Sequence, residues 1–132
     1  MANLSSKIGE MIPDGLITDV VPAIEIRGMT IRKGSVETTY TRGTIMALSS
    51  GTGGDNKLVI LGTAAGSSET LTPTCILTDD VTVGTSDDVD MTVYTAGCFD
   101  PNKITVKEDY VITADDKDAL RKYNIVFKAA QN

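Results

Sequence analysis

The 132-residue chain contains no histidine and no tryptophan, only two cysteines and two phenylalanines, and no lysine or arginine anywhere between Lys57 and Lys103. Each absence excludes something. Without histidine the commonest general base and metal ligand is gone. No Gly-Lys-Ser/Thr phosphate loop and no Gly-x-Ser-x-Gly nucleophile turn takes its place, so the sequence offers no route to an enzyme. Cys75 and Cys98 are too few for a disulfide framework and lack Cys-x-x-Cys spacing. They read as buried reduced thiols, with a bridge between them as the alternative that only Cα separation decides. Aromatics make up 5% of the residues, so Val, Ile, Leu, Met and Ala must fill the core, and the first two favour pleated surfaces.

The cation-free middle carries seven acids, Glu69, Asp79, Asp80, Asp87, Asp88, Asp90 and Asp100, within an overall balance of 12 basic and 18 acidic residues. A phosphate backbone is repelled by such a segment, and nucleic acid is excluded as a direct ligand. The stretch reads as a solvated face. The acid pairs Asp79-Asp80 and Asp87-Asp88-Val89-Asp90 lack the glycine and closing glutamate of an EF-hand loop, so no metal site and no cofactor is expected. Paired carboxylates for glycoside hydrolysis need a cleft with aromatic platforms, which six aromatics scarcely supply.

Lys7, Glu10, Asp14 and Asp19 break every apolar run in the N-terminal segment before it reaches signal-peptide length, and no later run approaches a membrane span. The chain is expected to remain in the cytoplasm where it is made until something larger carries it out. At this length one domain with one modest core is expected. Residues 1–22 carry Gly9, Pro13, Gly15 and Pro22 with no sustained period and read as an arm, leaving residues 23–132 as the folded domain.

Ala23–Ile31 alternates apolar and charged residues and changes phase across Gly28, a strand with an expected bulge at the glycine. Lys33-Gly34-Ser35 reads as a turn. Ile45–Leu48 and Lys57–Leu61 are two strands joined by the Gly-rich tip Ser49–Asn56, whose glycines open no helix and so form a hairpin rather than a phosphate cradle. Residues 62–72 read as a loop, Pro73 opens the run Thr74–Leu77, and Val89–Thr95 is a strand interrupted by Ala96-Gly97. Asp100-Pro101-Asn102 makes a turn between Cys98-Phe99 and Ile104–Val106. Thr113 caps a helix with Asp115, Asp116 and Asp118 in its first turn, Arg121 and Lys122 in its last, and Ala119, Leu120 and Tyr123 as its apolar stripe. Asn124 suits the left-handed stop before a final strand, Ile125–Phe127. The predicted fold is mainly β with one short C-terminal helix.

The succession Arg42-Gly43-Thr44 before an apolar strand, the Gly-rich tip, Ile76–Val81, Val93–Phe99 and Ala119–Phe127 resembles the head decoration proteins of lambda-type tailed bacteriophages, over about Ala23 to Phe127. The order of the motifs carries the resemblance, not any one of them. It implies a β-clip-like compact barrel or sandwich with an extended N-terminal arm. It also implies a homotrimer on the outer surface of the expanded head, where it stabilises the virion capsid against internal DNA pressure. The implied partner is the major capsid protein, to whose exposed edge the arm adds a strand. The arm residues available for that contact are Leu4, Ile8, Met11, Ile12, Leu16, Ile17, Val20 and Val21. The other class of reading is a β-structured carbohydrate- or receptor-binding module of a phage tail or cell surface, which calls for clustered Tyr or Trp where Tyr40, Tyr94, Tyr110 and Tyr123 are scattered.

Overall fold

The computed structural model describes residues 15–129. The architecture is mainly β with one short helix. In chain order the strands are β1 (Ile17–Asp19), β2 (Glu25–Ile31), β3 (Thr38–Tyr40), β4 (Ile45–Ser50), β5 (Leu58–Ile60), β6 (Thr70–Leu77), β7 (Val81–Val83), β8 (Val89–Phe99) and, after helix α1 (Ala114–Lys122), β9 (Ile125–Phe127). Five of them close on themselves in the order β8-β2-β5-β4-β6 and back to β8, a small barrel. Every pairing in it is antiparallel except β2–β5, which is parallel and rests on one register position, Ile31 opposite Leu58. Arg32 N–H donates to the Leu58 carbonyl at 2.9 Å and reinforces that closure.

Side chains alternate across a strand, and here both sets are apolar. Met46, Cys75, Leu77, Val93, Ile31 and Leu58 fill the barrel interior. Their chain neighbours Ile45, Ala47, Ile76 and Tyr94 point outward into a second cluster with Leu16, Phe99, Leu120 and Ile125. The second cluster is roofed by α1, β1, β9 and the segment around Ile104–Ile112. Tyr94 and Phe99 meet there with ring centroids 5.4 Å apart and planes tilted by 47°. Outside the barrel wall, β3 and β7 pair antiparallel as a separate two-stranded flap.

Strand β8 is the longest element because two successive sets of partners share it. Its first eight residues pair with β2, and Cys98-Phe99 pairs antiparallel with β1 on one edge and parallel with β9 on the other. Ala96-Gly97 therefore does not interrupt the strand. Gly97 adopts φ +149° and donates its N–H to the Asn124 carbonyl at 3.0 Å, and a Cβ there would stand 2.9 Å from the Phe99 ring. The glycine marks close approach rather than a break.

Three further departures have local causes. The irregularity in β2 lies between Glu25 and Ile26, where β8 inserts Thr95, while Gly28 sits in regular register with Thr92. The loop read over 62–72 ends early, since Thr70–Thr72 already pair with Leu48–Ser50. Pro73 lies inside β6 rather than at its start, opposite Ala47 at a register shift, the position in a sheet that tolerates a residue with no N–H.

The helix begins as its sequence dictates. Thr113 Oγ1 accepts from Asp116 N–H and Asp116 Oδ2 accepts from Thr113 N–H, both at 3.0 Å, a complete capping box. Tyr110 also donates its hydroxyl to Asp116 Oδ2. Leu120 is fully buried, whereas Tyr123 at the C-cap is exposed, so the apolar stripe ends at Leu120. Asn124 stops the helix at φ 65°. No helix among the described residues is long and apolar enough to cross a membrane.

Candidate interaction surface

The eight expected contact residues divide three ways. Leu4, Ile8, Met11 and Ile12 lie outside the described residues. Leu16 and Ile17 are 1% and 6% exposed and belong to the outer apolar cluster, so the packed domain already includes Leu16 and Ile17, N-terminal of Ala23. The reason is β1, which pairs Ile17 with Phe99, and the Leu16 carbonyl, which accepts the Asp100 N–H at 2.7 Å. Val20 and Val21 stand free on the link between β1 and β2 and remain available to a partner.

β1 and β2 run in the same direction along one edge of β8, so Ile17–Ile31 is a single extended path broken by an excursion over Val20–Ile24. The excursion is held at its base. Thr18 Oγ1 donates to the Lys128 carbonyl at 2.8 Å, and Lys128 Nζ lies 3.2 Å from Asp19 Oδ2. The chain thus leaves the barrel at a fixed point, beside exposed apolar side chains.

A second surface feature is a groove of about 720 Å³ between the β3 flap and the barrel wall at Val59 and Ile60. Ser35, Tyr40, Thr41 and Thr105 line it, with Lys33, Lys107 and Glu108. Burial pushes the Tyr40 phenol above its ordinary value. The groove offers hydroxyls and charges of both signs to a polar occupant. Sequence reasoning passed over it because Thr38-Thr39-Tyr40 is only three residues long, although two β-branched residues and an aromatic are the composition of a strand.

One end of the barrel is tied by an ionic network. Arg32 Nε and Nη2 lie 2.8 and 2.9 Å from the two Asp55 carboxylate oxygens, and Nη2 lies 2.6 Å from Glu69 Oε2. Glu69 also accepts from Gly66 N–H at 2.7 Å and from Ser49 Oγ at 2.5 Å. These hydrogen bonds, the Gly66 one foremost, hold its carboxyl down at about 2, and the Arg32 guanidinium does the same for Asp55. The Gly-rich tip is therefore fastened rather than loose: Gly53 N–H donates to the Ser68 carbonyl at 2.9 Å, and a Cβ on Gly54 would stand 2.4 Å from the Ser50 carbonyl oxygen.

The acidic turns are engaged with the protein itself. Asp88 accepts from Lys57 Nζ at 2.5 Å and Lys33 N–H at 2.8 Å, Asp90 from Thr30 Oγ1 at 2.7 Å, and Asp80 from Arg42 N–H at 2.8 Å. The Lys57 contact keeps the Asp88 carboxyl below the usual range. Among the described residues no group of three His, Cys, Asp or Glu side chains is placed to hold a metal ion. Cys75 and Cys98 are both free thiols and both buried, one inside the barrel and the other 3.4 Å from Thr18 Oγ1.

No protein-family model, no curated protein and no solved structure matches this chain.

Proposed function

We propose that this chain is a capsid decoration protein of a tailed bacteriophage, a β-clip-like trimer bound to the major capsid protein on the outside of the expanded head. The reading rests on the succession of sequence motifs from Arg42 to Phe127. The observation that carries it furthest is the fixed exit of the N-terminal segment: β1 locks Ile17 to Phe99, while Val20 and Val21 beside it stay exposed. In this reading the residues before β1 reach a neighbour from a fixed point on the barrel. Three such segments on one trimer add through effective concentration, so weak contacts combine into tight attachment. Leu4, Ile8, Met11 and Ile12 supply apolar contacts in this reading, joined by Val20 and Val21. Mixing the protein with empty expanded capsids and pelleting them tests it directly. Stoichiometric co-pelleting at three-fold positions is the expected result, and a protein that stays in the supernatant at every concentration refutes the proposal.

The alternative of a carbohydrate-binding module draws on one observation, the groove beside Tyr40 with its uncommitted hydroxyls. Calorimetric titration with neutral and acidic oligosaccharides separates the two, because a decoration protein gives no heat.

A further inference from the structure

Strand β2 pairs with β8 along its whole length, but its opposite edge meets β5 only at Ile31. Among the described residues the outer edge of Glu25–Thr30 therefore pairs with nothing. Exposed apolar residues occur on this strand and on the link that leads into it. Val20, Val21 and Ile26 are 59%, 72% and 63% exposed, half of the six large hydrophobics exposed on the described surface. An unpaired edge of this kind is a template for another strand, and natural edges are often guarded by charged side chains, lysine above all, or by proline. Glu25–Ile31 has no lysine and no proline.

The charges on the edge select the partner. Glu25 and Arg27 flank Ile26, both are exposed, and neither forms an ion pair with a described residue. By strand alternation they share one face of β2 and Ile26 takes the other. In an antiparallel pair, residues directly opposite one another share a face with Cβ atoms about 4.5–5.5 Å apart. Glu-Ile-Arg is complementary to its own reverse. We propose that β2 is a self-association edge: two copies of this chain pair β2 to β2, antiparallel, about a two-fold axis through Ile26, so that Glu25 of each copy faces Arg27 of the other.

The register follows from the same charges. A two-fold axis moved to Arg27 sets arginine against arginine, and one moved to Glu25 sets glutamate against glutamate. An axis halfway between residues sets Ile26 against a charge. Only the Ile26-centred pairing satisfies both ions and joins the two isoleucines. At Gly28, on the Ile26 face, a Cβ would meet no described atom within 4 Å. The contact is isologous, so it closes after two copies. It goes beyond the decoration reading and needs no capsid; where that reading holds, a two-fold edge contact joins one trimer to the next.

Complementary charge variants test it on the full chain. Sedimentation from micromolar to millimolar concentration is expected to show Glu25→Arg and Arg27→Glu each shifted to smaller species than wild type. An equimolar mixture of the two regains the larger species, since a copy with two cations then faces a copy with two anions. Both positions are exposed and form no ion pair with a described residue, so melting of the variants stays at the wild-type value. Independently, Ile26→Cys forms a disulfide-linked pair under mild oxidation faster than Val36→Cys or Val111→Cys, which lie elsewhere and are as exposed. Single variants that sediment as wild type, a mixture that regains nothing, or Ile26→Cys crosslinking no faster than the controls overturns the proposal. Capsid co-pelleting reads the decoration function separately, because variants that lose self-association and still pellet leave that function standing.

Discussion

Arg32 Nη2 lies 2.6 Å from Glu69 Oε2, and through that contact one guanidinium joins the end of β2 to the start of β6 while its other face grips Asp55 in the Gly-rich tip. The carboxyls of Glu69 and Asp55 both titrate at about 2, below their ordinary values of 4.5 and 3.8. The unfolded chain therefore binds more protons than the folded one through the acid range, and stability rises with pH there. The contribution is whole above pH 4.5 and is lost as the pH falls through about 2. Melting temperature is expected to hold from pH 6 to about pH 4.5 and to fall from there to pH 2, and Glu69→Gln is expected to melt lower at pH 6 with a shallower acid slope. A variant with the wild-type slope would mean that this network contributes nothing to acid sensitivity.

At Gly97 the prediction concerns backbone. Its φ of +149° and the Phe99 ring 2.9 Å from a would-be Cβ leave no room for a side chain. Gly97→Ala is expected to destabilise the fold by about 1–3 kcal/mol, the ordinary cost of holding a non-glycine residue in a sparsely populated region. Urea unfolding measures it, and Gly28→Ala, with open space at its Cβ, serves as the mild comparison.

The N-terminal boundary is tested by two truncations. Removing residues 2–14 is expected to leave circular dichroism and melting unchanged and to abolish capsid co-pelleting. Removing residues 2–21 also takes away Leu16 and Ile17, which lie in the outer apolar cluster. Loss of a buried Leu or Ile side chain costs about 2–5 kcal/mol, so the longer deletion is expected to lower the melting temperature or prevent folding. Equal melting of both truncations would place Leu16 and Ile17 outside the core.

Thiol chemistry gives a further check. Cys75 is sealed inside the barrel, and burial pushes its thiol up to about 12. The thiolate is the reactive form, so Cys75 is expected to resist an aromatic disulfide reagent at pH 8 in the native protein and to react within the mixing time in denaturant. Rapid native labelling of Cys75 would show that the barrel opens readily.

Much of this fold can be read from residues in sequence. The helix is legible because capping, charge placement and the left-handed stop at Asn124 all act within a dozen residues of one another. Strands β4, β5 and β9 are legible for a similar reason, being apolar runs bounded by turn residues. Gly97 and Pro73 misled because each carries two meanings locally, a break or a close approach for glycine, a strand start or a bulge for proline. Only the partner across the sheet, Asn124 for one and Ala47 for the other, decides between them. Leu16 and Ile17 were assigned to the arm because their stretch has no period, yet one buried pair beside β8 needs none. The β2 edge was invisible in sequence since nothing along a chain says which side of a strand is left unpaired.

The alternation of two apolar clusters across β4, β6 and β8 removes a safeguard that most strands possess. Where one face is buried and the other wet, slipping by one residue drives hydrophobic groups into water and is forbidden. Here a slip in β4 exchanges Met46 for Ile45 or Ala47 and exposes nothing. Hydrophobicity alone leaves the alignment of these strands degenerate. It must be written by features that tolerate no shift: Pro73, which cannot donate to a ladder, Gly97, which alone fits under Phe99, and Arg42, whose Nη1 reaches both Tyr94 Oη at 2.6 Å and the Thr78 carbonyl at 3.0 Å. Those three residues act as indexing marks that keep the chain from threading its barrel one notch out of step.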